Sequence, residues 1–206
     1  FDLDFPHLML RYRNAQKKLN KLAIIPSQLA QIDRNGKVGV MLSTIINWVT
    51  NIKNRFIRKM LELFTGIDKR TLLPTYNSET FTDYFKKNKD QINLETPTRN
   101  RKVVIYSTCF VNFNKKETGV AALKVLKKNG VEVKEAYPGC CGMPFFEQAN
   151  LSKVVEQAEK VSKDLLKWVD KGYQVITLTA SCGLMLKFEW PLLLPNDENI
   201  KRLSKV

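Results

Sequence analysis

Three β-branched runs, each leading into cysteine and separated by helix-forming stretches, constrain this chain more than any other feature. Residues 102–107 (Lys-Val-Val-Ile-Tyr-Ser) end at Thr108-Cys109, residues 131–137 alternate apolar and polar before Pro138-Gly139-Cys140-Cys141, and residues 173–179 lead into Ala180-Ser181-Cys182. Between them the apolar spacing predicts two helices. One covers residues 118–128 with Val120, Leu123 and Leu126 on one face; the other covers 151–171 with Val154, Ala158, Val161, Leu165 and Val169. Each ends in lysine followed by Gly130 or Gly172, that is, basic charge against the helix dipole and then a residue free to take positive φ. The order β-α-β-α-β-α demands right-handed crossovers and a parallel sheet. The expected fold class is therefore α/β: a parallel βαβ (Rossmann-like) cysteine-rich domain, preceded by a mainly helical segment. All three strands end at one edge, where open α/β sheets place their ligand crevices.

That topology gathers Cys109, Cys140, Cys141 and Cys182, which are all 4 cysteines of the chain. A lone free cysteine is commonly a small core hydrophobe. A Cys-Cys-Gly-Met-Pro run with two more thiols brought beside it is instead a set of soft donors, suited to an iron–sulfur cluster or to zinc better than to an oxygen-preferring cation. The residues alone leave both open. Gly142 is expected to let the backbone approach the site. Four cysteines with two adjacent do not resemble a secreted disulfide framework and point to a reducing compartment. Glu147, Glu156 and Glu189 stand in or near helix patterns without a matched acid–base partner, so no catalytic residue is assigned. Gly139 and Gly142 flank cysteines instead of opening a phosphate-binding turn. His7, the sole histidine, reads as structural rather than as a ligand.

Residues 1–100 contain no cysteine and read as mostly helical, with boundaries at Pro26, Asn35-Gly36, Gly66 and the polar stretch 93–100 around Pro97. This last stretch is the expected linker to a domain of residues 101–206. Ile45, Val49, Ile52, Phe56, Met60 and Leu63 recur at helical spacing while Lys53, Arg55, Arg58 and Lys59 take other faces, which predicts one basic amphipathic helix. The net charge of +14 is spread over both halves. Without a basic stripe or an aromatic-interleaved motif it suggests anionic lipid headgroups or an acidic partner, and no nucleic acid. No run approaches the roughly 18 apolar residues of a membrane span, and no signal-peptide pattern opens the chain.

The run Tyr137-Pro-Gly-Cys-Cys-Gly-Met-Pro144, the helix after it, and Ser181-Cys182-Gly-Leu-Met-Leu-Lys187-Phe-Glu-Trp-Pro191 resemble the cysteine-rich CCG domain family. That domain is shared by the B subunit of heterodisulfide reductase, the iron–sulfur subunit of glycolate oxidase and the C subunit of anaerobic glycerol-3-phosphate dehydrogenase. The last resemblance extends to the Asp4–Arg11 run, Asn47-Trp48, Leu73-Pro74 and Thr80-Phe81. It implies a non-catalytic electron-transfer subunit that relays electrons from a flavoprotein dehydrogenase to a membrane acceptor such as quinone. It also implies an iron–sulfur cluster, of 4Fe-4S type, held by Cys109, Cys140, Cys141 and Cys182, and a cytoplasmic location, peripheral at the inner face of the cell membrane. The family motif commonly ends in Cys-X-X-Cys, but here Thr179 takes the first of those positions. The family also implies ferredoxin-type motifs upstream and a second CCG copy downstream, so the chain reads as an internal piece of a longer polypeptide.

Overall fold

The computed structural model describes residues 4–19, 24–94 and 101–206. Its first half is helical: α1 (Phe5–Leu19), α2 (Ile24–Leu29), α3 (Ile32–Met41), α4 (Ser43–Thr50), α5 (Arg55–Thr65) and α6 (Phe81–Leu94). Then follow β1 (Arg101–Tyr106), α7 (Cys109–Phe113), α8 (Lys116–Lys128), β2 (Val131–Ala136), α9 (Met143–Glu147), α10 (Leu151–Val169) and β3 (Gln174–Thr177). The chain finishes with α11 (Ala180–Leu184), a π-helical turn (Met185–Glu189), α12 (Trp190–Leu193) and α13 (Glu198–Leu203).

Residues 103–106, Val-Val-Ile-Tyr, carry no polar gap, the pattern of a strand covered on both faces, and all four are buried in β1. β1 is the middle strand of a parallel sheet of order β2-β1-β3. Successive side chains point to opposite faces. Val103 and Ile105 pack with Leu123 of α8 and Phe81 and Phe85 of α6. Val104 and Tyr106 pack with Val154, Ala158, Val161 and Leu165 of α10. The first crossover steps from β1 to β2 and the second returns past β1 to β3, so α8 and α10 cover opposite faces, as two right-handed crossovers require. The register sets Tyr106 level with Ala136 and Thr177. The residues after each strand therefore meet at one edge, and the expected α/β class and helical N-terminal segment are both present.

Several expectations for the helical half need correction. The single amphipathic helix is two, α4 and α5, parted at residues 51–54. Asn51 ends α4 in an extended conformation and its Oδ1 accepts the Lys53 N–H at 2.9 Å, while Asn54 Nδ2 donates to the Trp48 carbonyl. Asparagine side chains bond locally to the backbone in this way in competition with helix. Arg58 is not on an outward face but buried. Asn35-Gly36 is no boundary: it lies inside α3, where a Cβ on Gly36 would fall 2.2 Å from the Phe113 ring. Pro26 lies within α2. Gly66 does end α5, in the left-handed conformation at φ 70. Of the expected linker, residues 93 and 94 are helical and 95–100 lie outside the described residues.

α1 is tied to the second half through His7, whose Nε2 lies 2.9 Å from Glu189 Oε2 in the π-helical turn and whose Nδ1 lies 2.5 Å from Asp4 Oδ2. Nothing in the sequence pairs Glu189 with His7, 182 positions apart. The Glu189 carboxylate first, and Asp4 after it, raise the His7 pKa above the ordinary imidazole value. The stability contributed by this link is complete below the unfolded-state pKa and is lost as pH rises through the raised folded-state value. Hydrogen exchange of the α1 amides is therefore expected to speed up relative to the sheet as pH climbs through neutrality. In His7→Gln that pH dependence should vanish; an unchanged profile would remove His7 as its source.

Candidate metal centre

Each cysteine group sits just beyond a strand. Cys109 opens α7 after β1, Cys140 and Cys141 lie between β2 and α9, and Cys182 lies in α11 after β3. Cys109 and Cys182 follow the two strands between which the connections change direction, the crevice position of an open α/β sheet. All four cysteines are free thiols; Cys140, Cys141 and Cys182 are buried and Cys109 is partly exposed. They meet as two pairs: Cys140 Sγ is 4.0 Å from Cys109 Sγ, and Cys141 Sγ is 3.3 Å from Cys182 Sγ.

The turn carrying the adjacent pair is pinned from three directions. Tyr106 Oη donates to the Gly139 carbonyl at 2.6 Å, and Trp190 Nε1 donates to the Cys141 carbonyl at 3.1 Å. Between them the Cys140 N–H donates to Asp33 Oδ2 at 3.1 Å, while Asp33 Oδ1 accepts from the Tyr137 hydroxyl. Gly142 takes φ 88 and points its N–H at Cys140 Sγ, 3.4 Å away. A side chain there would be strained in this left-handed conformation. Beyond the turn, Pro144 near the start of α9 sits where its missing N–H costs nothing.

Sequence reading missed Asp33, Tyr106 and Trp190. Tyr106 and Trp190 stand inside or beside the quoted motifs, and only their polar atoms mark them. Asp33 has no local signal: its partners lie more than 100 positions away, and α3 packs close to them where Gly36 meets the Phe113 ring, which in turn meets Tyr137 edge-on at 5.4 Å.

The thiols differ in acidity. The Cys109 and Cys141 thiols beside Cys140, together with the N–H groups of Gly142 and Cys141, push the Cys140 pKa down to about 4. Cys109 and Cys141 are raised, first by their hydrogen bonds to Cys140, with burial adding to both. Burial first, and the cysteine charges second, raise Tyr106, keeping it a neutral donor to Gly139. The thiolate form is thus favoured at Cys140 over Cys109 and Cys141.

The donor set, four free thiols, fits a thiolate-bound metal group. Among the described residues no three His, Cys, Asp or Glu side chains are disposed to hold one metal ion. Beside the turn, Gln157 Oε1 is buried without a partner, 3.2 Å from where a Cβ on Gly139 would lie. Thr179 has its Oγ1 2.8 Å from Thr108 Oγ1.

Comparison with known proteins agrees with this geometry. The family described as CCG, cysteine-rich domain, matches residues 103–187. The C subunit of anaerobic glycerol-3-phosphate dehydrogenase of Escherichia coli (strain K12) is 28% identical over 82% of this chain and 42% of its own length. Lactate utilization protein A of Macrococcus caseolyticus is 34% identical over 47% of this chain and 38% of its own length. The B subunit of fumarate reductase (CoM/CoB) of Methanothermobacter marburgensis is 31% identical over 44% of this chain and 18% of its own length. The chain thus spans less than half the length of these relatives. No solved structure matches it. Residues 103–187 match the CCG cysteine-rich domain, and the chain is similar in sequence to the C subunit of anaerobic glycerol-3-phosphate dehydrogenase, to lactate utilization protein A and to the B subunit of fumarate reductase (CoM/CoB).

Proposed function

We propose that this chain is the iron–sulfur electron-transfer part of an oxidoreductase, with Cys109, Cys140, Cys141 and Cys182 as the ligands of a cluster of 4Fe-4S type. The observation that carries the reading is the gathering of four free thiols, in two pairs, at the edge where three parallel strands end. Bound there, a cluster supplies a carrier that takes and gives single electrons. The protein's own part is to hold the thiols and keep water away. Tyr106, Asp33 and Trp190 fix the backbone of the adjacent pair, and the Gly142 N–H favours charge on Cys140. Cys109, partly exposed, marks the side from which electrons enter or leave. The donor is a flavoprotein dehydrogenase subunit and the acceptor a quinone, with residues 1–100 a helical segment next to the 101–206 domain. In this reading the chain lies on the cytoplasmic face of the cell membrane; no helix among the described residues is long and apolar enough to cross it.

The test is anaerobic reconstitution with iron and sulfide, followed by metal analysis, visible absorption and electron paramagnetic resonance. A charge-transfer band with stoichiometric iron is expected. Stoichiometric zinc with no band after the same treatment would establish the other thiolate chemistry, a structural zinc domain, and sink the redox reading.

Thr179 offers a second measurement. A hydroxyl is a poor iron ligand beside thiolates, so Thr179→Cys is expected to slow bleaching of the reconstituted band in air several-fold. Bleaching at the parent rate would show that residue 179 stays engaged with Thr108 and does not reach the cluster.

A further inference from the structure

At the start of α5 lies a cavity of about 410 Å³ lined by Ile52, Arg55, Arg58, Lys59, Lys69 and Arg70. Five of these six side chains are cationic. Arg58 is the telling one. It is 1% exposed, its Nε and Nη2 donate to the carbonyls of Lys69, Asp68 and Thr71 at 2.8 to 3.3 Å, and its Nη1 has no partner. Carbonyls satisfy donors but do not neutralise charge, and a guanidinium buried without a counter-charge is costly.

The neighbouring carboxylates do not offset it. Asp68 is taken by Arg70, at 2.7 Å to Nη2 and 3.0 Å to Nε. Glu62 accepts from the Lys69 N–H at 3.4 Å and, among the described residues, forms no ion pair. Among the described residues Arg55, Arg58, Lys59 and Lys69 form no ion pair. The first turn of α5 has no acidic residue, and Asn54 does not cap it. The positive end of the helix dipole therefore adds to the same field.

We propose that this cavity binds a phosphate group. Four cations without an ion pair call for an anion of more than one charge, and forked guanidinium donors match the several oxygens of a phosphate. A carboxylate would leave most of the charge unbalanced. The phosphate has two sources: a soluble phosphorylated compound or the headgroup of an anionic lipid. Ile52, Phe56 and Met60 beside the cavity are 45%, 76% and 46% exposed, so apolar surface is available to a lipid bearer.

The experiment uses the full chain at fixed ionic strength and titrates inorganic phosphate and pyrophosphate by calorimetry. In parallel it sediments vesicles of phosphatidylcholine with and without phosphatidylglycerol. Saturable binding of the free anions points to a soluble ligand; binding only to phosphatidylglycerol vesicles points to a headgroup. Either is expected to weaken about tenfold in Lys59→Ala and in Arg55→Ala, the loss of one charge-assisted hydrogen bond. Both residues are exposed, so these variants fold even if Arg58→Met does not. Lys128→Ala and Lys163→Ala, exposed on α8 and α10, remove the same charge elsewhere and should change nothing. Equal weakening in both sets would assign the effect to the net charge of +14 and overturn the site. So would the absence of binding in both arms.

Discussion

Serine in place of Cys140 or of Cys141 is expected to abolish the charge-transfer band and the paramagnetic signal of the reconstituted protein, while leaving the far-ultraviolet circular dichroism unchanged. The size of the effect follows from position. The Cys140 thiol is held down to about 4 by its neighbours, and a serine hydroxyl there has neither the softness nor the acidity of a thiol. Cys141 pairs with Cys182 at 3.3 Å, so its loss breaks the second pair as Cys140→Ser breaks the first. The fold should survive, because serine is nearly isosteric and the turn is held through backbone atoms that both variants retain. An undiminished signal in both variants would strike these residues from the ligand set.

Trp190 is where the largest loss of stability is expected. Its side chain is fully buried against the α10 face of the sheet, and its Nε1 holds the Cys141 carbonyl. Trp190→Ala should cost about 3–5 kcal/mol, a large share of the roughly 5–15 kcal/mol that usually holds a domain together. Urea denaturation would show this as a lower midpoint. Trp190→Phe separates the two roles of the residue: it keeps most of the volume and removes the donor, so about 1–3 kcal/mol is expected, together with faster loss of bound metal. If the phenylalanine variant matched the parent in metal retention, the indole would be packing alone and the cysteine turn would not depend on it.

The sheet was legible in the sequence because its causes are local. The unbroken Val-Val-Ile-Tyr run, the alternation in β2 and the lysine–glycine endings of α8 and α10 each state a period or a stop within a dozen residues. The meeting of the four cysteines followed from topology. What could not be read is set by partners far along the chain. Asp33 looks like any acidic residue in a first helical turn until Gly36 lets α3 close on Phe113. Arg58 looks like one more surface cation until the carbonyls of residues 68, 69 and 71 enclose it. The break between α4 and α5 had a local cause, but the apolar period continues across Asn51 and Asn54 and outweighs two asparagines when the period alone is read.

The bond from Asp33 to the Cys140 amide, spanning 107 positions, has a consequence for the order of assembly. Closing so long a loop costs conformational entropy before the contact returns anything. The sheet and α3 must therefore dock before Cys140 gains its last backbone partner. Until α3 rests against Phe113, the cysteine turn is held by Tyr106 and Trp190 alone, and the Cys140 N–H lacks its carboxylate acceptor. Residues 101–206 grafted alone onto another scaffold would carry all four sulfurs and leave behind the carboxylate that sets the posture of one of them.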